Sequence, residues 1–581
     1  MPSFRRNPTT AFKLASAVFI ICFYLIYATF RDYFSPSLRV ERVELPRIQY
    51  EGWRGGGKAD LRKAGAVKEA MRITFASYQK RAWGKDEIHP VSGGNSNKRN
   101  GWGAFLLESS TTLAVMELWD ELREAVRHII DKVDFTTTDE IVNTSEATLK
   151  YLGALLSLVD MSDAGHIPED VVSQNDRNTL LGQAYTLAYK LTPAYYTDSG
   201  MPWPRVDFET STGVLSPLLG SPDKAEEDSM ATIELADVGA SIVEYRILSR
   251  LTNEAVYLEA ATSAWASLVW PNYNISALPN NPTGLFPSPL EIHSGLSVGH
   301  DYGWDANHAP FYNNLLKSYL IAPHSQHSPK YRDTWLAATH ALRWNLTSRS
   351  ADTSFHKTHH LYLAQRTGPH FLNEASQTSC AAPGHLILGG AATSRPDLIS
   401  LGQALLEGCH HIHASSPSGL APSRWSWLPA AQDRGEGLFT PSTARAQRQL
   451  DIRGWWAVDE SYRLRPEYVE SLFYAFRITG QQRYRDWAWQ LWEVVERRCK
   501  AQYGYSGIRD VMRAKVTSSE WGVVQQAVRQ AGVEMLDEQD TVWMARTLKF
   551  FWLVFADVKK VDLDAWVVSE GGHLFRRTEP G

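Results

Sequence analysis

Apolar residues recur at three- and four-residue spacing in ten stretches of this chain, and that recurrence limits what it can fold into. The stretches lie near 63–82, 104–131, 146–160, 177–193, 230–250, 310–321, 330–344, 464–478, 482–498 and 541–556. Such a period turns one face of a helix towards a core. Almost no stretch alternates with period two over six residues, so a large sheet has no source. Pro-, Gly- and Asn-rich loops, such as 281–289 and 415–423, separate the helical stretches, and no linker divides them. The pattern predicts one closed toroid of paired helices, all-α, over residues 61–581, with a tail from about 560 that docks back onto the body.

The N-terminus carries a different signal. Arg5, Arg6 and Lys13 precede an uncharged run from Leu14 to Phe30, and Arg31 and Asp32 follow it. At a rise of about 1.5 Å per residue this run reaches the lower limit for spanning a bilayer. Cations ahead of the run favour a cytoplasmic N-terminus. The expected order is a cytoplasmic tail (1–13), a transmembrane signal anchor (14–30), a stem (31–60) and a luminal domain (61–581). That is a single-pass type II membrane protein of the secretory pathway, in the ER or Golgi. A cleavable leader is the competing reading, but no small-x-small site precedes the charged stretch at 41–47.

A net charge of −5 and the lack of a long basic run exclude a nucleic-acid partner. The 21 Trp, 24 Tyr and 21 Phe supply rings that fill cores and can stack on sugars. Cys22 sits inside the apolar run. Cys380, Cys409 and Cys499 remain, so at most one disulfide forms within the chain. Sequons at Asn143, Asn274 and Asn345 suit a luminal protein.

Several motifs, collinear from about residue 70 to 575, resemble those of glycoside hydrolase family 47, the class I α-mannosidases. They are Ala82-Trp83-Gly84-Lys85-Asp86-Glu87, Ala236-Asp237-Val238-Gly239 leading to Glu244, Leu464-Arg465-Pro466-Glu467 with Glu470-Ser471, and Thr547-Leu548-Lys549. The resemblance implies an (α/α)7 barrel and inverting hydrolysis of terminal α-1,2-linked mannose on high-mannose N-glycans. It also implies a Ca2+ ion at the barrel floor. Inversion needs one carboxylic acid to protonate the leaving oxygen and a second carboxylate to activate water. By resemblance Glu146 is the acid and Glu467 the base. Glu244, Glu470, Arg465 and Lys150 line the sugar subsite, and Ser569, before Glu570, offers oxygen to calcium. The resemblance further pairs Cys380 with Cys409 and leaves Cys499 free. Asn274 and Asn345 are the expected glycosylation sites, while a glycan on Asn143 would crowd the barrel mouth. A monomer is expected.

Departures from the family gather where chemistry is done. Ala309 and Asn313 replace the Asp and Glu of one helix motif, and Asn307 replaces a basic residue two before that Asp. Asp305 lies one helical turn upstream, some 5 Å away. Ser145 and Lys150 replace Phe and Arg around Glu146. Thr111 replaces the second Asp of the motif that starts at Glu108, and Gln377 replaces His. Ser423 and Arg546 replace Glu, and one extra Gly precedes His573. The alternative expectation is a catalytically impaired, lectin-like glycan binder of the same fold, acting in glycoprotein processing or quality control.

Overall fold

The computed structural model describes residues 47–57, 59–138, 140–215, 230–270, 284–430, 438–513 and 534–577. The expected cytoplasmic tail, the anchor at 14–30, most of the stem and the sequon at Asn274 lie outside the described residues. Among the described residues no helix is long and apolar enough to cross a membrane.

Fourteen helices make a double ring. In chain order they are α1 (Leu61–Arg81), α2 (Ala104–Val115), α3 (Trp119–Lys132), α4 (Gly153–Asp163), α5 (Gln174–Leu191), α6 (Ile242–Thr252) and α7 (Val256–Ala264). There follow α8 (Ala309–Ile321), α9 (Ser328–Asn345), α10 (Ala382–Ala392), α11 (Pro396–Ser415), α12 (Glu467–Thr479), α13 (Gln482–Arg498) and α14 (Leu548–Phe555). The even-numbered helices touch their even-numbered neighbours in order, and α14 returns to α2, which closes an inner ring of seven. Each inner helix packs chiefly against one outer helix, and α6, α12 and α14 touch a second. The first of the chain, α1, covers the last, α14, so closure is sealed by the two ends of the domain.

Burial explains which helices go where. Every residue of α2 and of α14 is buried, and α8 and α12 expose almost nothing. A helix buried on every side can only sit inside, even where it carries polar residues such as Glu108 and Glu467. The outer helices α3 and α13 bury one stripe and expose the rest. The stretch 104–131, expected as one helix, is two: Glu117 takes a left-handed φ of 55° and turns the chain from the inner to the outer ring.

Helices α10 and α11 were not among the periodic stretches. In α10 the glycines obscure the pattern because they exist for packing. A Cβ on Gly389 would lie 2.1 Å from the Trp335 ring, and one on Gly384 would lie 2.7 Å from the Ser471 Cα. The all-α expectation also needs one correction. Short antiparallel strands connect the helices, the largest set being five strands in the order 370–372, 365–367, 297–302, 288–291 and 232–233. They are mostly two to four residues long, too short for a period of two to show in the sequence. The disulfide Cys380–Cys409 joins the segment before α10 to α11, and Cys499 is free and buried.

Both ends of the described chain are tied down. The Ile48 backbone N–H donates to Asp564 at 2.7 Å, and Tyr50 N–H donates to the Arg477 carbonyl at 3.0 Å. The final hairpin, Trp566–Val568 with Leu574–Arg576, is held by Asp160 of α4. That buried carboxylate accepts from the Arg576 Nε at 2.7 Å and the Arg576 backbone N–H at 2.8 Å, and it pairs with Arg250 at 2.7 Å. Breaking a buried ion pair costs roughly 3–5 kcal/mol, and partial exposure of both arginines places this one near the low end. We therefore expect Asp160→Ala to lose about 3 kcal/mol of stability and to expose the final hairpin to protease, as read by thermal melting and limited proteolysis.

Candidate active site

One end of the ring opens into a cavity of about 210 Å³, below the roughly 300–1,000 Å³ of sites for drug-sized ligands and suited to a single small ring. Each wall has a local cause. Leu464, a non-glycine residue at φ 58°, bends the chain just before α12, and its carbonyl accepts from the Thr547 hydroxyl at 2.8 Å. Pro466 then starts the helix, which puts Glu467 and Glu470 in its first turn, where the helix dipole favours anions. Two other walls are short π-helical segments, Ala147–Leu152 with Leu149 and Lys150, and Trp543–Thr547 with Arg546. Such wide turns occur often at functional sites. The start of α8 adds Ala309, Pro310 and Asn313, and the tight turn of the final hairpin adds Glu570 and Gly571.

The lining is a lattice of opposite charges. Lys150 reaches Glu146 at 3.1 Å, Glu108 at 3.3 Å and the Thr541 hydroxyl at 3.1 Å. Arg99 pairs with Glu146 and with Glu87, and lies 3.9 Å from Asp540. Arg465 lies 3.7 Å from Glu467 and 4.0 Å from Asp540. Deeper in, Arg546 donates to Glu470 at 2.5 Å, while Lys317 and Asn313 donate to Glu570 at 2.8 and 3.2 Å. Glu470, Glu570, Lys317 and Arg546 are buried or nearly so, and each charge answers another, as a low-dielectric interior requires.

Of the residues expected from sequence, Glu467, Arg465 and Lys150 line the cavity together. Glu470 stands behind them, joined through Arg546. Glu146 is not on the wall; it lies one ion pair away through Lys150. Burial pushes the Glu146 carboxyl up, but Lys150 and Arg99 outweigh it and hold the group below the usual range. Glu108 behaves oppositely. Burial raises its carboxyl, and Lys150 and Thr541 only partly offset this. Glu244 is fully buried near Ser569, packed against Gly153 and outside the lining. Gln377 and Ser423, which replace family His and Glu, are tied to the Ala421 and Ser461 carbonyls at 2.7 and 2.9 Å. Asp305 lines the cavity, and His308 donates to it at 2.8 Å. Arg99 and Asp540 belong to no motif read from the sequence, and only their contacts reveal them.

The oxygens that the resemblance offers to calcium already have partners within the protein. Ca2+ takes about six to eight oxygen ligands. The Ser569 carbonyl accepts from the Gly572 N–H at 3.0 Å, and its hydroxyl faces the His573 N–H at 3.4 Å. Glu470 and Glu570 already answer buried cations. Among the described residues no three carboxylates converge closely enough to share an ion; the trio that does, His356, His360 and His411, lies outside this lining. There the His360 and His411 rings stack face to face at 3.9 Å, which does not aim two lone pairs at one point.

Glu244 yields a pH signature. Burial raises its carboxyl from 4.5 to about 8. Between those values the folded chain keeps a proton that the unfolded chain has released, so this group's contribution to stability falls as pH rises. Glu244→Gln removes that dependence. The variant's melting temperature should rise relative to the parent's between pH 5 and pH 8. A constant difference across that interval would contradict the buried, proton-holding state.

Comparison with known proteins agrees with this geometry. The model of glycosyl hydrolase family 47 matches residues 70–577. A probable mannosyl-oligosaccharide α-1,2-mannosidase 1B of Aspergillus clavatus is 29% identical over 536 residues, covering 92% of this chain and 93% of that protein. The mannosyl-oligosaccharide α-1,2-mannosidase of Penicillium citrinum is 28% identical over 516 residues, 89% of this chain and 90% of its own. Among solved structures, the α-1,2-mannosidase from Trichoderma reesei superposes with a TM-score of 0.78 at 26% identity, covering 90% of this chain and all of that one. With its motifs, its closed double ring and its charged cavity accounted for, the chain belongs to glycosyl hydrolase family 47.

Proposed function

We propose that this protein is a mannoside hydrolase that removes terminal α-1,2-linked mannose from N-linked oligosaccharides with inversion. The observation that carries the reading is the cavity itself. It has the volume for one sugar ring and places Glu467 and Glu108 on the same wall set as Arg465, Lys150 and Glu570. The names of the full-length relatives supply the sugar and the linkage.

Roles follow from electrostatics. Glu467, beside Arg465 and at the start of α12, suits the carboxylate that takes a proton from water. The proton donor must stay protonated near neutral pH. Glu146, held ionised by Lys150 and Arg99, is badly placed for that task. Glu108 is raised by burial and sits on the wall, so we assign it the donor's role and give Glu146 the task of fixing Lys150. Ala309 leaves a methyl group where the family has Asp, which lowers the expected rate. The Cys380–Cys409 disulfide supports an oxidising compartment, and with the run at 14–30 it supports a type II protein of the secretory pathway.

Removing a general acid or base costs about 10²- to 10⁴-fold. Glu467→Gln should therefore lose about that factor in turnover of a Man9 oligosaccharide, with KM little changed. Glu108→Gln should lose a similar factor and flatten the alkaline limb of the pH profile. Ala309→Asp should raise turnover. A parent protein that binds Man9 without trimming it would instead favour the lectin-like reading.

A further inference from the structure

We propose that Arg546 takes the place of the divalent cation at the floor of this site, so that sugar is bound there without calcium. The proposal rests on the mannoside reading only for the identity of the ligand.

Three observations converge on Arg546. The first is charge. By family resemblance the position belongs to a glutamate, so arginine changes it from −1 to +1, a gain of two units, the charge of one Ca2+ ion. Asn313 removes a further negative charge from the same floor. The second is contact. The Arg546 guanidinium donates to Glu470 at 2.5 Å and lies in the field of Glu570, while Lys317 holds Glu570 from the other side. The carboxylates that would otherwise need a metal are thus neutralised by side chains. A dication placed among them would face two buried cations, an arrangement that low dielectric penalises.

The third observation is space. The tail loop carries one more glycine before His573 than the family pattern. Gly572 sits at φ 83°, and a Cβ there would lie 2.4 Å from the Arg546 Cγ. The extra-glycine loop and residue 546 are therefore in direct contact, at a Cγ that glutamate shares with arginine. The two departures meet at one place in the structure.

The same place leaves hydrogen-bonding capacity for a ligand. The Arg546 Nε has no hydrogen-bond partner in the protein, nor do the Glu467 Oε2 and Asn313 Oδ1 atoms, and all three residues line the cavity. Buried polar atoms without partners are costly. A sugar ring with neighbouring hydroxyls both accepts and donates, so it can satisfy the guanidinium N–H and these oxygens together. A bound metal ion can only serve the oxygens.

The test uses the full-length protein, stripped with EDTA and dialysed. Thermal melting and calorimetric titration with calcium chloride should show no rise in melting temperature and no binding. A calcium-dependent rise in the parent would overturn the proposal. Arg546→Glu, which restores the family's acid, should bind calcium and melt higher with it; if it folds only with calcium, that also supports the proposal. A variant that folds but ignores calcium would overturn the idea that this position decides metal use. Arg546→Gln should weaken Man9 binding in calcium-free buffer by about tenfold or more, the loss expected for a charged hydrogen bond. Unchanged binding would overturn the ligand-binding part. Melting and binding need no turnover, so an inactive parent would refute the hydrolase reading without touching this one.

Discussion

Burying several carboxylates in one ring of helices is affordable only if each meets a positive charge or a strong donor or, like Glu244, keeps its proton. That requirement organises the middle of this molecule. Asp160 meets Arg250 and Arg576, Glu470 meets Arg546, and Glu570 meets Lys317. The inner helices supply acids and bases at positions that an ordinary core would fill with leucine. The outer helices do no such work; they cover apolar stripes. The architecture is thus a hydrophobic double wall around a polar axis, and the axis is where the chemistry sits.

Seen this way, the substitutions are coordinated rather than scattered. Glutamate to arginine at 546 would leave an unpaired cation in a dry site were Glu470 not within reach. Lysine at 150 in place of arginine keeps a cation between Glu108 and Glu146 but gives up a rigid fork. Gln377 and Ser423 have been turned towards backbone carbonyls and no longer serve the cavity. The pattern describes a site with a new charge arrangement, built on the old framework.

Much of the frame was legible in the sequence because inner and outer helices differ in composition, and because Arg465-Pro466-Glu467 marks the start of α12. The pairing of Cys380 with Cys409 followed from resemblance and is present. Other features could not be read. Helix α10 hides behind glycines whose purpose is to admit Trp335 and Ser471. Arg546 was visible only as the loss of an acid, because its partner Glu470 lies 76 residues away. Arg99 and Asp540 gain meaning only from three-dimensional neighbours. Local periodicity carries secondary structure well, whereas charge compensation is a property of contacts that no short window contains.

At the end of α9, the Asn345 side-chain nitrogen donates to the Ala341 carbonyl at 2.8 Å, closing the last turn of the helix. That nitrogen is the atom a glycan would occupy at this sequon. That nitrogen carries two hydrogens and a glycan replaces one, so the other can keep the bond to Ala341. Because the amide is planar, the retained bond would fix the direction in which an oligosaccharide leaves the end of this helix.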